Sequence, residues 1–281
     1  MKRTRTFRWI ALGLLGLYVL IPVAASVQFS LEAGYKGRLS FSAYSQAVAE
    51  GGLGTSLVTS VKVSAGAAAI TLALLVPTVI FVNLCFPRWR AVLDAVSLLP
   101  LGVPAVVIVL GVLGAYKSVP SVITGTPVIL ALVYVILAMP YSYRAIDAGV
   151  RSIDLHTLVD AARSMGAGWG KLFSRVLLPS LRSGILAAAF LTVALSLGEY
   201  AIASIMGFST FPVWLVGVEG NNPYVAVALS ICALAFTWIL LVTLAMAGSG
   251  RKRRSTGFGA GLVGPEVEVE ISPSPEDEAV A

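Results

Sequence analysis

Residues 151–184 read RSIDLHTLVDAARSMGAGWGKLFSRVLLPSLRSG. The stretch is too polar to cross a bilayer, and it carries the pattern of an ordered helix. Asp154 is placed to cap a short helix, after which Leu155, Leu158, Val159, Ala162 and Met165 recur at i, i+3, i+4, i+7 and i+10 as one apolar stripe. Gly166 and Gly168 end it, since glycine accepts the left-handed conformation in which many helices close. A second, basic amphipathic turn from Trp169 to Leu178 leads to Pro179, and proline suits the first turn of a helix that then enters the membrane.

Long apolar runs flank this loop, and the rest of the chain repeats them. Of 281 residues, 57% are hydrophobic and 12% charged, with a mean hydropathy of +0.89. Soluble proteins are about 45–50% apolar and about 25% charged, so the excess apolar surface must face lipid. Six runs are long enough to span, at about 9–29, 58–84, 92–116, 127–146, 184–207 and 225–247. The first follows the basic stretch MKRTRTFR and resembles a secretory signal in that respect. It reads instead as an uncleaved span, because the run is long for a signal core and five more spans follow.

Arginine and lysine set the orientation. Lys2, Arg3, Arg5 and Arg8 precede span one, Arg88 and Arg90 separate spans two and three, and Arg251 to Arg254 follow span six. Arg144, Arg151, Arg163, Lys171, Arg175 and Arg182 lie between spans four and five or at their edges. By the positive-inside rule that side is cytoplasmic, leaving only Lys36, Arg38, Lys62 and Lys117 on the other. Both termini are then cytoplasmic, and the net charge of +6 reports topology, with no nucleic-acid partner implied. The expected layout is a cytoplasmic segment 1–8, a six-helix membrane domain 9–250 with a cytoplasmic loop at about 147–183, and a disordered cytoplasmic tail 251–281, acidic from about residue 255.

Several chemistries are excluded or left without residues. Cys85 and Cys232 sit in apolar runs without metal or redox spacing, and His156 is the single histidine, so no metal site and no catalytic residue is expected. A phosphate-binding G-x-x-x-x-G-K-[ST] loop is absent. The chain is therefore expected to bind no cofactor, and any ATP to be bound by a separate subunit.

The loop also carries a specific resemblance. Asp160-Ala161-Ala162, three residues, Gly166, nine residues and Val176-Leu177-Leu178-Pro179 resemble the EAA loop of binding-protein-dependent ABC importer permeases, E-A-A, three, G, nine, I-x-L-P. Asp160 stands for the family glutamate and Val176 for the isoleucine. The resemblance extends over roughly residues 55–247 and includes LLPLGVPAVVIVLGVLG, which is similar to the family's proline-bearing third helix. There Pro100 and Pro104 are expected to kink the span, and Pro140 to do so in span four, as gating elements or as ordinary packing kinks.

What the resemblance implies is an all-α, type I importer permease in the bacterial inner membrane. It would work in a dimeric core with a second permease, related or identical, above two ATP-binding cassette ATPase subunits and below an extracytoplasmic solute-binding protein. Residues 154–168 would form the coupling helix that seats in a groove of the ATPase, with Leu155, Leu158, Asp160, Ala161, Ala162, Met165 and Gly166 as its working residues. Two small side chains, Ala161 and Ala162, would admit a partner closely. A bare amphipathic connector on the membrane surface is the alternative reading of this loop. A secondary transporter or channel is the alternative for the whole chain.

Glu199 is the one acidic residue well inside a predicted span. Such a group marks a pathway or an interhelix hydrogen bond. Leu197-Gly198-Glu199-Tyr200 resembles the LGE[YF] motif of permeases for sulfate, molybdate, ferric iron, polyamines, thiamine and aminophosphonates, which assigns Glu199 and Tyr200 to the translocation path or gate. The overall look is nearest to the polyamine and aminophosphonate types. Lys62 and Asp94 read as charges at span edges. Trp214, Glu219 and Tyr224 belong to the outer loop STFPVWLVGVEGNNPY, as interfacial anchors or docking contacts.

Overall fold

The computed structural model describes residues 2–32, 39–116 and 125–249. The tail expected over 251–281 and the outer basic residues Lys36, Arg38 and Lys117 lie outside these. All regular structure among the described residues is helical: α1 (Lys2–Leu31), α2 (Ser42–Ala49), α3 (Leu53–Cys85), α4 (Arg90–Leu98), α5 (Ala105–Ala115), α6 (Pro127–Arg151), α7 (Leu155–Ser164), α8 (Arg182–Leu197), α9 (Ala201–Ile205), α10 (Phe211–Asn221) and α11 (Pro223–Ser249). The chain divides into two units, Met1–Ser230 and Ile231–Ala281. The packing described below belongs to the first; in the second, residues as far as Ser249 are helical.

Among the described residues three helical stretches are long and apolar enough to cross a membrane: Phe7–Leu31, Leu53–Cys85 and Pro127–Arg151. Two further candidates are broken. Pro87–Gly102 and Ala105–Ala115 meet at 99°, and Trp169–Ser180 and Arg182–Leu197 meet at 73°, so counting each bent pair as one span gives five. The last helix contributes a shorter apolar stretch, Pro223–Ile239. The third span expected over 92–116 is bent at the place where Pro100 and Pro104 were expected to kink it. Val103 is extended between Gly102 and Pro104, because proline removes a donor and forces the preceding residue out of the helical region. Pro140, by contrast, is accommodated within α6.

The core is a three-helix stack of α3, α6 and α8. Its lower half joins Leu75, Val79, Ile80, Ile146, Leu177 and Leu181 in one buried cluster, and its upper half joins Val63, Ala67, Val109, Leu130, Val133, Tyr134 and Ile202 in another. Between them Ser142 Oγ pairs with Thr192 Oγ1 at 2.8 Å, the kind of buried polar contact that substitutes for a hydrophobic drive when helices associate in lipid. Where α6 ends and α8 begins, glycines bring the backbones together: a Cβ on Gly184 would lie 2.9 Å from the Ala145 carbonyl oxygen, and one on Gly149 would lie 3.2 Å from Gly184 Cα.

A third cluster forms a small cap, in which Ala43 and Ala47 of α2 and Val218 of α10 pack on Val225, Ala226 and Leu229 at the start of α11. Trp214 locks it by donating its indole N–H to the Gly51 carbonyl at 3.0 Å, and Phe29 stacks on Tyr224 with ring centroids 4.7 Å apart. The outer segment read as a loop is therefore largely the helix α10, opened by Thr210 with Pro212 in its first turn.

Candidate functional site

The helix at 155–164 is built by local signals. Asp154 accepts from the Thr157 backbone N–H at 3.2 Å and from Thr157 Oγ1 at 2.6 Å. These bonds hold its carboxyl below the ordinary aspartate value, since they favour the charged form. At the other end Gly166 has φ +79°, with its N–H bonded to the Arg163 carbonyl at 2.9 Å and the Ala167 N–H to the Ala162 carbonyl at 3.0 Å. That paired closure satisfies carbonyls that a helix end leaves free. Gly168 is extended, φ −75° and ψ 163°, so Gly166 alone terminates the helix.

The apolar stripe faces inward. Leu155, Val159 and Ala162 are buried against Leu75, Val79, Tyr143, Ile146 and Leu172 of the chain's own core, and Leu158 is half-buried. Asp160 and Ala161 are exposed, and Met165 is 81% exposed. Of the two small residues, Ala162 lies at the helix–bundle contact and Ala161 on the outer face, because adjacent residues are about 100° apart around a helix. Leu155 likewise serves to seat the helix. The outer face is completed by Arg163, whose guanidinium stands 5.1 Å over the Trp169 ring, a cation–π contact that joins α7 to the next segment.

That segment departs from the simple amphipathic turn. Trp169–Lys171 is α-helical, Leu172–Leu177 is π-helical and Leu178–Ser180 returns to α. The widening lies just ahead of Pro179, whose ring would crowd the carbonyl one turn back in a regular helix. Ser180 Oγ donates to the Val176 carbonyl at 2.7 Å.

Glu199 lies at the end of α8, which stops at Leu197, rather than inside a continuous span over 184–207. Its carboxylate accepts from the Ile202 N–H at 2.9 and 3.0 Å and from the Ala203 N–H at 3.3 Å, which caps α9, and from the Tyr134 hydroxyl at 3.1 Å. Tyr134 is 1% exposed. The break therefore has its own acceptor for donors that a helix start leaves unpaired, and Tyr200 beside it is 42% exposed. Tyr134 went unrecognised in the sequence, where nothing but its place in an apolar run marks it.

A second acid was also overlooked. Asp147 is buried, with Arg151 Nε donating to its Oδ2 at 2.6 Å, so Arg151 is an ion-pair partner in addition to a basic surface residue. The signal was present as an i, i+4 acid–arginine spacing in RAIDAGVR. Among the described residues no group of His, Cys, Asp and Glu could hold a metal ion.

Residues 69–254 match the family model described as binding-protein-dependent transport system inner membrane component. The chain belongs to that family. The match encloses α7, the Leu172–Pro179 segment and the break at Glu199. No curated protein matches the chain. As a member of the family, this permease is an integral membrane transport subunit and not an enzyme, and its partners are those of an ABC transporter in general.

Proposed function

We propose that this permease forms half of the translocation path of an ATP-driven importer in the bacterial inner membrane, with α7 as the helix that seats in a separate ATPase. The observation that carries the reading is the division of α7 into a face consumed by the chain's own core and a face, Asp160, Ala161 and Met165, that the chain leaves to solvent. A bare connector on the membrane surface needs no rigid closure at Gly166, whereas a lever does. In this reading there are six spans with both termini cytoplasmic, the two broken pairs and α11 counting as spans, and a second permease, two ATPases and an outer binding protein complete the assembly. Polyamines and aminophosphonates are the favoured solutes, on the overall resemblance of the sequence, with sulfate, molybdate, ferric iron or thiamine as the alternatives that the LGEY string shares.

The test is to place a bulky group on the outer face. Ala161→Trp touches no core residue, so the permease inserts and folds normally while its association with the ATPase, read by co-purification and by solute-stimulated ATP hydrolysis in vesicles, is lost. Normal association and stimulated hydrolysis in that variant would remove α7 from the coupling role.

A further inference from the structure

One buried acid plays no part in capping or in the outer face of α7. Asp147 is 8% exposed, near the last turn of α6. Its Oδ2 is taken by Arg151, whereas Oδ1 is buried without a hydrogen bond and faces the Arg90 guanidinium at 3.9 Å. A carboxylate–guanidinium hydrogen bond closes at about 2.7–2.9 Å, so this pair is ionic but stands about 1 Å open. A buried carboxylate with one oxygen unsatisfied is costly, and a purely structural ion pair would be expected to close on both oxygens.

The two arginines belong to different machinery. Arg151 ends α6 at the mouth of the coupling loop, four residues before α7 begins. Arg90 is the first residue of α4, which runs through Leu99–Gly102 into the 99° break ahead of α5. Both side chains keep part of their surface in solvent, 63% for Arg151 and 38% for Arg90, so each can shift without unpacking the core. Asp147 thus bridges the end of α6, where the loop leaves the bundle, and the start of the bent third span.

We propose that Asp147 is a positioning residue that latches the coupling loop to α4, Arg90 closing onto Oδ1 in one half of the transport cycle and releasing it in the other. Arg151 stays bound throughout and keeps the carboxylate oriented. Movement of α7 under the ATPase then reaches the broken span through a charge contact. This rests on the coupling role proposed for α7.

The experiment uses the complete assembly in nanodiscs, with the binding protein as purified with its native solute. Cys85 and Cys232, both exposed, are replaced by serine, and nitroxides are placed at Arg88 and Ser152, both at the surface. Interspin distances are compared without nucleotide and with vanadate-trapped ADP. The latch requires the distance to change with nucleotide in the parent. It also requires Arg90→Gln and Asp147→Asn each to abolish that change and to lower stimulated ATP hydrolysis about five- to tenfold. Arg90→Lys recovers a large part of it, and the double variant is no worse than either single, as expected of one shared contact. A nucleotide-dependent distance that persists in Arg90→Gln, or losses that multiply in the double variant, would overturn it. If Asp147→Asn does not assemble, the contrast between Arg90→Gln and Arg90→Lys decides alone. A parent permease that binds no ATPase defeats the coupling role and the latch together; a parent that responds while Arg90→Gln responds equally defeats only the latch.

Discussion

Two short helices in this permease, α7 and α9, are each started by a carboxylate, and they differ in what stands behind the cap. Asp154 is exposed and serves one backbone N–H and one hydroxyl. Water can take over either bond. Glu199 is half-buried and serves two backbone N–H groups together with the hydroxyl of a tyrosine inside the bundle. With α9 only five residues long, too short to persist on propensity, its acceptor cannot be replaced by solvent. The same local chemistry therefore trims a helix end in one place and holds a membrane helix open in the other.

Removing the acceptor at the break should give the largest effect. Glu199→Leu strands the Ile202 and Ala203 N–H groups and the Tyr134 hydroxyl, each worth about 1–3 kcal/mol when buried unpaired. Thermal unfolding of the purified permease in detergent should show a loss of about 3 kcal/mol or more, with Glu199→Gln, which keeps an acceptor, well under half of that. A Leu variant as stable as the parent would erase the distinction between the two caps.

Gly166→Val ranks next. A Cβ there meets nothing within 4 Å, so inside this chain the penalty is purely that of φ +79°, about 1–3 kcal/mol for a β-branched residue. Asparagine tolerates that conformation better. Hydrogen exchange at Gly166 and Ala167 should rise sharply in the Val variant and little in Gly166→Asn; equal effects would show that bulk against a partner, and not backbone strain, decides the site.

Tyr134→Phe sharpens the comparison from the opposite side. It removes one of the donors to Glu199 and leaves the backbone cap intact, so a loss of about 1–2 kcal/mol is expected in the same unfolding measurement.

The smallest effect belongs to the exposed cap. The Asp154 carboxyl has its value lowered by Thr157, so its contribution is present above the ordinary aspartate range and fades as pH falls through the lowered folded value. Amide exchange at Thr157 should accelerate only on acidification through that value, and Asp154→Asn should flatten the dependence while leaving the spans in place.

The contrast also explains what the sequence disclosed. The α7 helix was legible in its cap, stripe and terminating glycine because all three are local signals a few residues apart. Which side the stripe faces was not, since a periodic pattern fixes a face but not its neighbour: Leu155 and Ala162 turned toward the core and Met165 away from it. The break at Glu199 was hidden because residues 184–207 are apolar on average and hold no proline, and hydropathy does not register a side chain that outcompetes the helix ladder. Pro100 and Pro104 announced a kink, but its 99° depends on α4 packing beside α6, which lies beyond local sequence. The helices α2 and α10 were missed because each is short and is held by the cap cluster, Trp214 included, more than by its own pattern.

The close approach of Gly149 and Gly184 carries a consequence for how this chain can vary. The two residues bound the loop that carries α7; a Cβ on Gly184 would collide with the Ala145 carbonyl of α6, and one on Gly149 would press on Gly184 Cα at 3.2 Å, so position 184 accepts no added carbon without moving the backbone and position 149 only with a small adjustment. The ends of the loop are thus joined at that contact by the bundle itself, and a methyl group at 184 is dearer than one at 149: whatever α7 does, it does from a fixed footing.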